Sequence, residues 1–181
     1  MKEDSSSILD FWFRELQPAD WWSKNEEVDH TISRRFSATL EAAARAELFE
    51  WRESAHGRLA EIIVLDQFSR QIHRDTPLAF ACDGMALLLA QEAVRAGADK
   101  GLAADERAFM YMPYMHSESR LIQRIAVELF DQPGLEHNHA FAIAHRDIIE
   151  RFGRYPHRNR TLGRSSTPEE LEFLKQPGSS F

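Results

Sequence analysis

Residues 58–74 read RLAEIIVLDQFSRQIHR. Their spacing predicts a helix over 54–71, and in it the run Ile62 to Leu65 is apolar on every side, so this helix belongs at the centre of a bundle with others around it. Leu59, Ile62, Ile63, Asp66 and Arg70 fall near one face. A carboxylate and a guanidinium four residues apart can pair there, beneath apolar neighbours and beside the Gln67 amide. Burying such a pair is costly unless it is fully hydrogen-bonded. It is therefore either a structural lock or part of a site in which Arg70, whose fork of donors matches carboxylate or phosphate, also holds an anion.

Helix signals continue in both directions from this segment, and strand signals are almost absent. After the serine run Ser5 to Ser7, the residues Ile8, Leu9, Phe11, Trp12 and Leu16 form a first helix that Gln17-Pro18 ends. Val28, Ile32, Phe36 and Leu40 recur at spacings of four, and with Ala42 to Ala46 they predict a second helix over 26–51. Thr76-Pro77 opens a fourth that Gly97 stops. A fifth starts near Ala104, is broken at Pro113 and resumes as HSESRLIQRIAVELF, 116–130. Gln132-Pro133-Gly134 is a turn, 137–152 is helical up to Gly153, and Thr167-Pro168-Glu169-Glu170 is a capping box opening the last helix. The expectation is an all-α chain of about seven or eight helices, one domain over 1–181 with a core of 5–175 and a tail of 176–181. Periodicity alone shows no 34-residue repeat.

A chain of 181 residues and 20.9 kDa can bury a continuous core, and 43% hydrophobic residues with twelve Phe and four Trp exclude a disordered class. Cys82 stands alone, so no internal disulfide forms, and no secretion signal opens the chain; a cytoplasmic location is expected. The longest apolar run, Met85 to Ala90, is far short of the roughly 20 residues of a membrane span, so no membrane partner is expected. A net charge of -7 disfavours nucleic acid as a partner. A homo-oligomer stays open.

Three polar clusters interrupt the apolar stripes. In MHSES, His116 and Glu118 are expected at a helix start, with Glu118 on a stripe continued by Leu121, Ile122, Ile125 and Leu129; they suit a general acid/base pair or two metal ligands, or Glu118 pairs with an arginine or meets the positive end of its helix. His145 shares a stripe with Phe141, Ile148 and Phe152, where a core histidine is the commoner outcome. The loop RFGRYPHRNRTLGRSSTPEEL, 151–171, gathers five arginines and His157 in its first fourteen positions. Arginines cap helix ends and pair with carboxylates. So many in a loop stiffened by Pro156 and articulated by Gly153 and Gly163 are better explained if some meet a buried carboxylate and others, with Asn159, an anionic ligand. No H-E-x-x-H or Cys/His framework signals a metal, and no phosphate loop or dinucleotide glycine motif implies a cofactor.

The strings LDQFSRQIHR (65–74), AFACDGMAL (79–87), PYMHSES (113–119) and FGRYPHRNRTLGRSSTPEELEFL (152–174) together resemble the bacterial family known as domain of unknown function 924, over roughly residues 8–174. The resemblance implies an all-helical, right-handed, tetratricopeptide-like array and no established activity. The matching positions are Asp66, Gln67, Phe68, Arg70, Asp83, Pro113, His116, Glu118, His145, Gly153-Arg154, Pro156, Arg158-Asn159 and Leu162-Gly163-Arg164. Ser69 and Gln71 depart from it, standing where the family more often has proline and asparagine. The reading these residues favour is a polar pocket of Asp66, Gln67, Arg70, His116, Glu118, His145, Arg154, His157, Arg158, Asn159 and Arg164 that binds a small anionic metabolite or a peptide carboxylate. Affinity is then expected to rise as pH falls toward about 6 and His116 gains a proton. The alternatives are an interaction scaffold in which the polar motifs are internal locks, and an enzyme using His116 or Glu118 as acid/base.

Overall fold

Eight helices and no strand make up residues 3–180, the part of the chain described by the computed structural model. Met1, Lys2 and the tail residue Phe181 lie outside the described residues. Helix α1 covers 5–15, α2 Glu26–Ala44, α3 55–72, α4 Asp83–Arg95, α5 Ala104–His116, α6 Arg120–Phe130, α7 Glu136–Phe152 and α8 Pro168–Phe173. Helices α1, α2, α4 and α5 all pack on α3, and every residue from Leu59 to Ser69 is buried. The all-round apolar run thus sits at the centre, as its pattern predicts. Ser54 caps α3 by accepting from Gly57 N (2.9 Å), and Gly57 is required there because a Cβ would collide with the Trp51 carbonyl oxygen. Within α3 the turn Val64–Phe68 is π-helical and carries Asp66 and Gln67; such single π turns recur at functional sites.

The start of α1, the end of α2 and the break between α5 and α6 differ from the sequence-based expectation. Asp4 caps α1 by accepting from Ser7 N (2.8 Å), so the helix includes the serine run and does not follow it. Helix α2 ends at Ala44 and not near Trp51. Ala46 takes φ 57°, Ala46 N bonds to Ala43 O (2.8 Å) and Glu47 N to Ala42 O (2.9 Å), a left-handed stop that turns Leu48 into the core. Pro113 does not break a helix but lies inside α5, near its C-terminal end, with Ala108 to Met115 all buried around it. Core packing there outweighs the roughly 3 kcal/mol that an interior proline costs. The break falls at Ser117-Glu118-Ser119 instead, so His116 ends α5 and Glu118 lies in the linker before Ser119 caps α6. Neither residue stands at a helix start. The buried face of α6 is Gln123, Ala126 and Phe130, whereas Leu121 is 66% exposed.

The stretch Pro77–Arg95 is long and apolar enough by composition to cross a membrane, more than its short uninterrupted run suggests. In the fold it is broken at Ala81-Cys82 between a 3-10 turn and α4, and α4 lays Ala86, Ala90 and Ala93 against the core. At the other end of the chain the capping box forms as spelled. Thr167 Oγ1 accepts from Glu170 N (3.2 Å) and the Glu170 carboxylate accepts from Thr167 N (2.7 Å). Thr167→Ala is expected to cost roughly 0.5–2 kcal/mol of stability and to leave ligand affinity alone. A melting curve coincident with wild type would show that the cap contributes nothing.

Candidate functional site

Asp66, 1% exposed, is the centre of a buried network. Its carboxylate accepts from Gln67 Nε2 (2.6 Å) and from His116 Nδ1 (2.7 Å) and lies 3.2 Å from Arg70 Nη1. Burial opposes its ionisation, but Arg70 and His116 outweigh that and hold it below the usual carboxylate range. An ionised carboxylate only accepts, so His116 must carry its proton on Nδ1. This leaves Nε2 for the cavity that His116 lines. Arg70 also donates to the Asp66 carbonyl (2.6 Å) and holds Asp83, at the start of α4, in a two-pronged pair at 2.9 and 3.0 Å. The spacing of four on α3 does produce a buried pair, and Asp83 extends it.

Asp83 receives a second guanidinium less completely. Arg158 Nη1 lies 3.5 Å from Asp83 Oδ2, and its Nε, buried, has no hydrogen-bond partner among the described residues. Its charge rests between two ring faces, Tyr155 at 4.5 Å and Phe80 at 4.7 Å from the centroids. Burial, with Arg70 beside it, lowers the Arg158 pKa, the reverse of what the well-paired Arg70 shows. Arg70, Arg158, His116, Gln67, His145 and His157 all line one cavity of about 720 Å³. Gln71 lines it too, and its Oε1 is buried without a partner among the described residues.

The rest of the basic loop is turned to another task. Arg164 grips Glu118 at 2.6 and 2.8 Å, and Glu118 also accepts from Tyr155 N (2.8 Å). Arg154 grips Glu170 at 2.6 and 2.8 Å, while Asn159 takes Arg164 Nε on its oxygen (3.0 Å) and gives its amide to Ser166 (3.0 Å) and Glu170 (3.3 Å). The Arg154 hydrogen bonds hold Glu170 at a pKa of about 2. Glu118, Arg154, Asn159 and Arg164 therefore fasten the loop to the linker between α5 and α6 and α8 to the end of α7, and none of them lines the cavity; Asp66 lies behind its wall. The sequence list thus divides into a lining set and a fastening set. Glu118 is an anchor for Arg164, as its ion-pair reading allows, and not a partner of His116.

Burial lowers the pKa of three histidines that line the cavity: His116, His145 to about 3 and His157 to about 4. Residues that the motif reading passed over complete the wall: Phe80, Met112, Met115 and, at 59% exposure, Trp22. Asp83 was visible only as a matching family position. The Trp21-Trp22 pair was the available signal, two adjacent indoles in the stretch between the first two expected helices, of which Trp22 stays exposed.

These features define an all-helical protein whose central helix and C-terminal loop meet at a cationic, partly aromatic cavity. The chain belongs to the family described as bacterial protein of unknown function (DUF924), whose model matches residues 8–178. It is similar to a solved structure of a protein of unknown function from Agrobacterium tumefaciens, with 40% identity over 94% of this chain and 96% of that one, at a TM-score of 0.90. No functionally curated protein matches it.

Proposed function

We propose that the protein binds a small organic anion, a carboxylate or phosphate, between Arg70, Arg158 and His116. The state of Arg158 carries this reading. A guanidinium with 8% of its side chain exposed and one long ion pair is costly for the fold alone, and an acceptor-rich anion in the cavity it lines would supply the close pair it lacks. Successive packing of α4 on α5, α5 on α6 and α6 on α7 supports a tetratricopeptide-like array, a form that presents such concave sites. A lone free thiol, Cys82, suits the cytoplasm.

Thermal shift against inorganic phosphate, sulfate and small carboxylates tests the reading. A ligand at 100 times its dissociation constant stabilises by about 2.7 kcal/mol. Arg158→Met is expected to abolish that shift while keeping its own melting point near wild type, because Asp83 retains both prongs of Arg70. If no anion shifts wild type more than this variant, the polar motifs are internal locks and the scaffold reading replaces this one. Protonating His116 adds a third cation, so affinity rises with acid; burial depresses its pKa, which moves the gain below the ordinary value of about 6.5.

One observation favours an enzyme as the second reading. Asp66 on Nδ1 fixes the tautomer in which His116 Nε2 can take a proton from a group in the cavity. In an enzyme, His116→Gln would remove turnover and leave anion binding; in a binding protein no turnover exists to remove.

A further inference from the structure

The cavity is larger than an inorganic anion needs. At about 720 Å³ it falls within the roughly 300–1,000 Å³ of pockets that take drug-sized organic ligands. Lys24, Asp75 and Arg74 on its lining are already paired, Lys24 with Asp75 and Arg74 with Asp29, whereas Arg70 and Arg158 lie over the same Phe80 ring at 5.6 and 4.7 Å and share Asp83. Met112 and Met115, buried from bulk solvent at 4% exposure each, contribute soft apolar wall that adapts to an irregular hydrocarbon shape. Trp22 stands on the lining with one face stacked on Phe109 (5.9 Å, 12° between planes) and 59% of its surface exposed. A large indole exposed beside a cavity gains free energy when an apolar group covers it.

We infer that the ligand is amphipathic, an anionic head held at Arg158 and Arg70 with an apolar body lying along Met112, Met115 and Trp22. This rests on the anion-binding reading above and adds the nature of what the anion is attached to. The class is an organic acid or phosphate monoester carrying a hydrocarbon chain or ring. Free phosphate would leave the apolar wall uncovered, and a plain hydrocarbon would leave Arg158 with its long ion pair alone.

The test is calorimetric titration of the full chain with acetate, hexanoate, decanoate, decanol and decyl phosphate, each below its aggregation concentration. The dissociation constant is expected to fall about fourfold per added methylene until the wall is covered, in line with the transfer of one CH₂ from water. Trp22→Ala, a change at an exposed side chain, should weaken decanoate or decyl phosphate about tenfold and leave acetate unaltered. Arg158→Met should remove the preference of the acids over decanol. Equal binding of acetate and decanoate would overturn the amphipathic ligand and leave anion binding standing. Decanol binding as tightly as decanoate and decyl phosphate would overturn the anionic head in both readings. If none of the acids, decyl phosphate or inorganic phosphate binds, both readings fall; if decyl phosphate alone among them binds, the amphipathic class holds with phosphate as its head.

Discussion

Arg70→Met is expected to lose about 3–5 kcal/mol of stability, the usual cost of removing one partner from a buried ion pair. For a chain of this length that is a fall in melting temperature of roughly 6–20 °C. The size follows from what is stranded. Asp66 keeps the neutral donors of His116 and Gln67 but loses its formal countercharge, and Asp83 is left with Arg158 alone at 3.5 Å. Arg70→Lys should recover only part, since a point charge cannot hold both Asp83 oxygens and the Asp66 carbonyl. Asp66→Asn combined with Arg70→Met should be more stable than Arg70→Met, because no buried carboxylate remains opposite the vacancy. A single variant that melts with wild type would show that Arg70 is solvated and that the central pair locks nothing. The contrast with Arg158→Met is the informative part: neighbouring arginines share Asp83, yet one holds the fold and the other is held by it.

That contrast was out of reach of sequence pattern. Periodicity found the central helix, and the spacing of Asp66 and Arg70 found their pair, because helical geometry alone brings i and i+4 together. The cap at Thr167 was legible for the same local reason. Pro113 misled because its cost is local whereas the packing of Phe109, Met112 and Met115 that offsets it is tertiary. The shift of the break to Ser117-Ser119 then turned His116 from a helix start to a helix end and separated it from Glu118. In the basic loop, Arg154, Arg158 and Arg164 are alike in type. Only the positions of Glu170, Asp83 and Glu118, on distant elements, divide them into fasteners and a cavity cation. The apolar wall was hidden for another reason: Met112, Met115 and Phe80 read as ordinary core, and nothing in a single chain marks a core face that borders empty space.

The acid limb of the stability curve is the second large effect. His145 and His157 are held neutral by burial, with pKa values of about 3 and about 4, and His116 is lowered as well. In the unfolded chain each titrates near 6.5. Between the folded and unfolded values the unfolded state binds the extra protons, so stability is fully present above about 6.5 and is lost as pH falls. Each deeply buried histidine removes up to about 1.4 kcal/mol per pH unit below that point, and partial solvation of His157 and His116 reduces their share. From pH 7 to pH 5 the expected loss is about 2–4 kcal/mol, in a range above that in which Asp66 and Glu170 take up protons. Denaturant titrations at half-unit steps of pH check it. His145→Gln should flatten the slope between pH 6.5 and 5 by roughly half while leaving the steeper carboxylate loss below pH 4 in place. A wild-type stability that is level from pH 7 to 5 would mean that these rings accept protons in the folded state, and the closed, low-dielectric wall assigned to them would be wrong. An anionic ligand acts against this loss, since a protonated His116 strengthens its binding. The ligand should therefore stabilise the protein more at pH 5 than at pH 7, whereas a His116 that stayed neutral throughout would contribute no such difference.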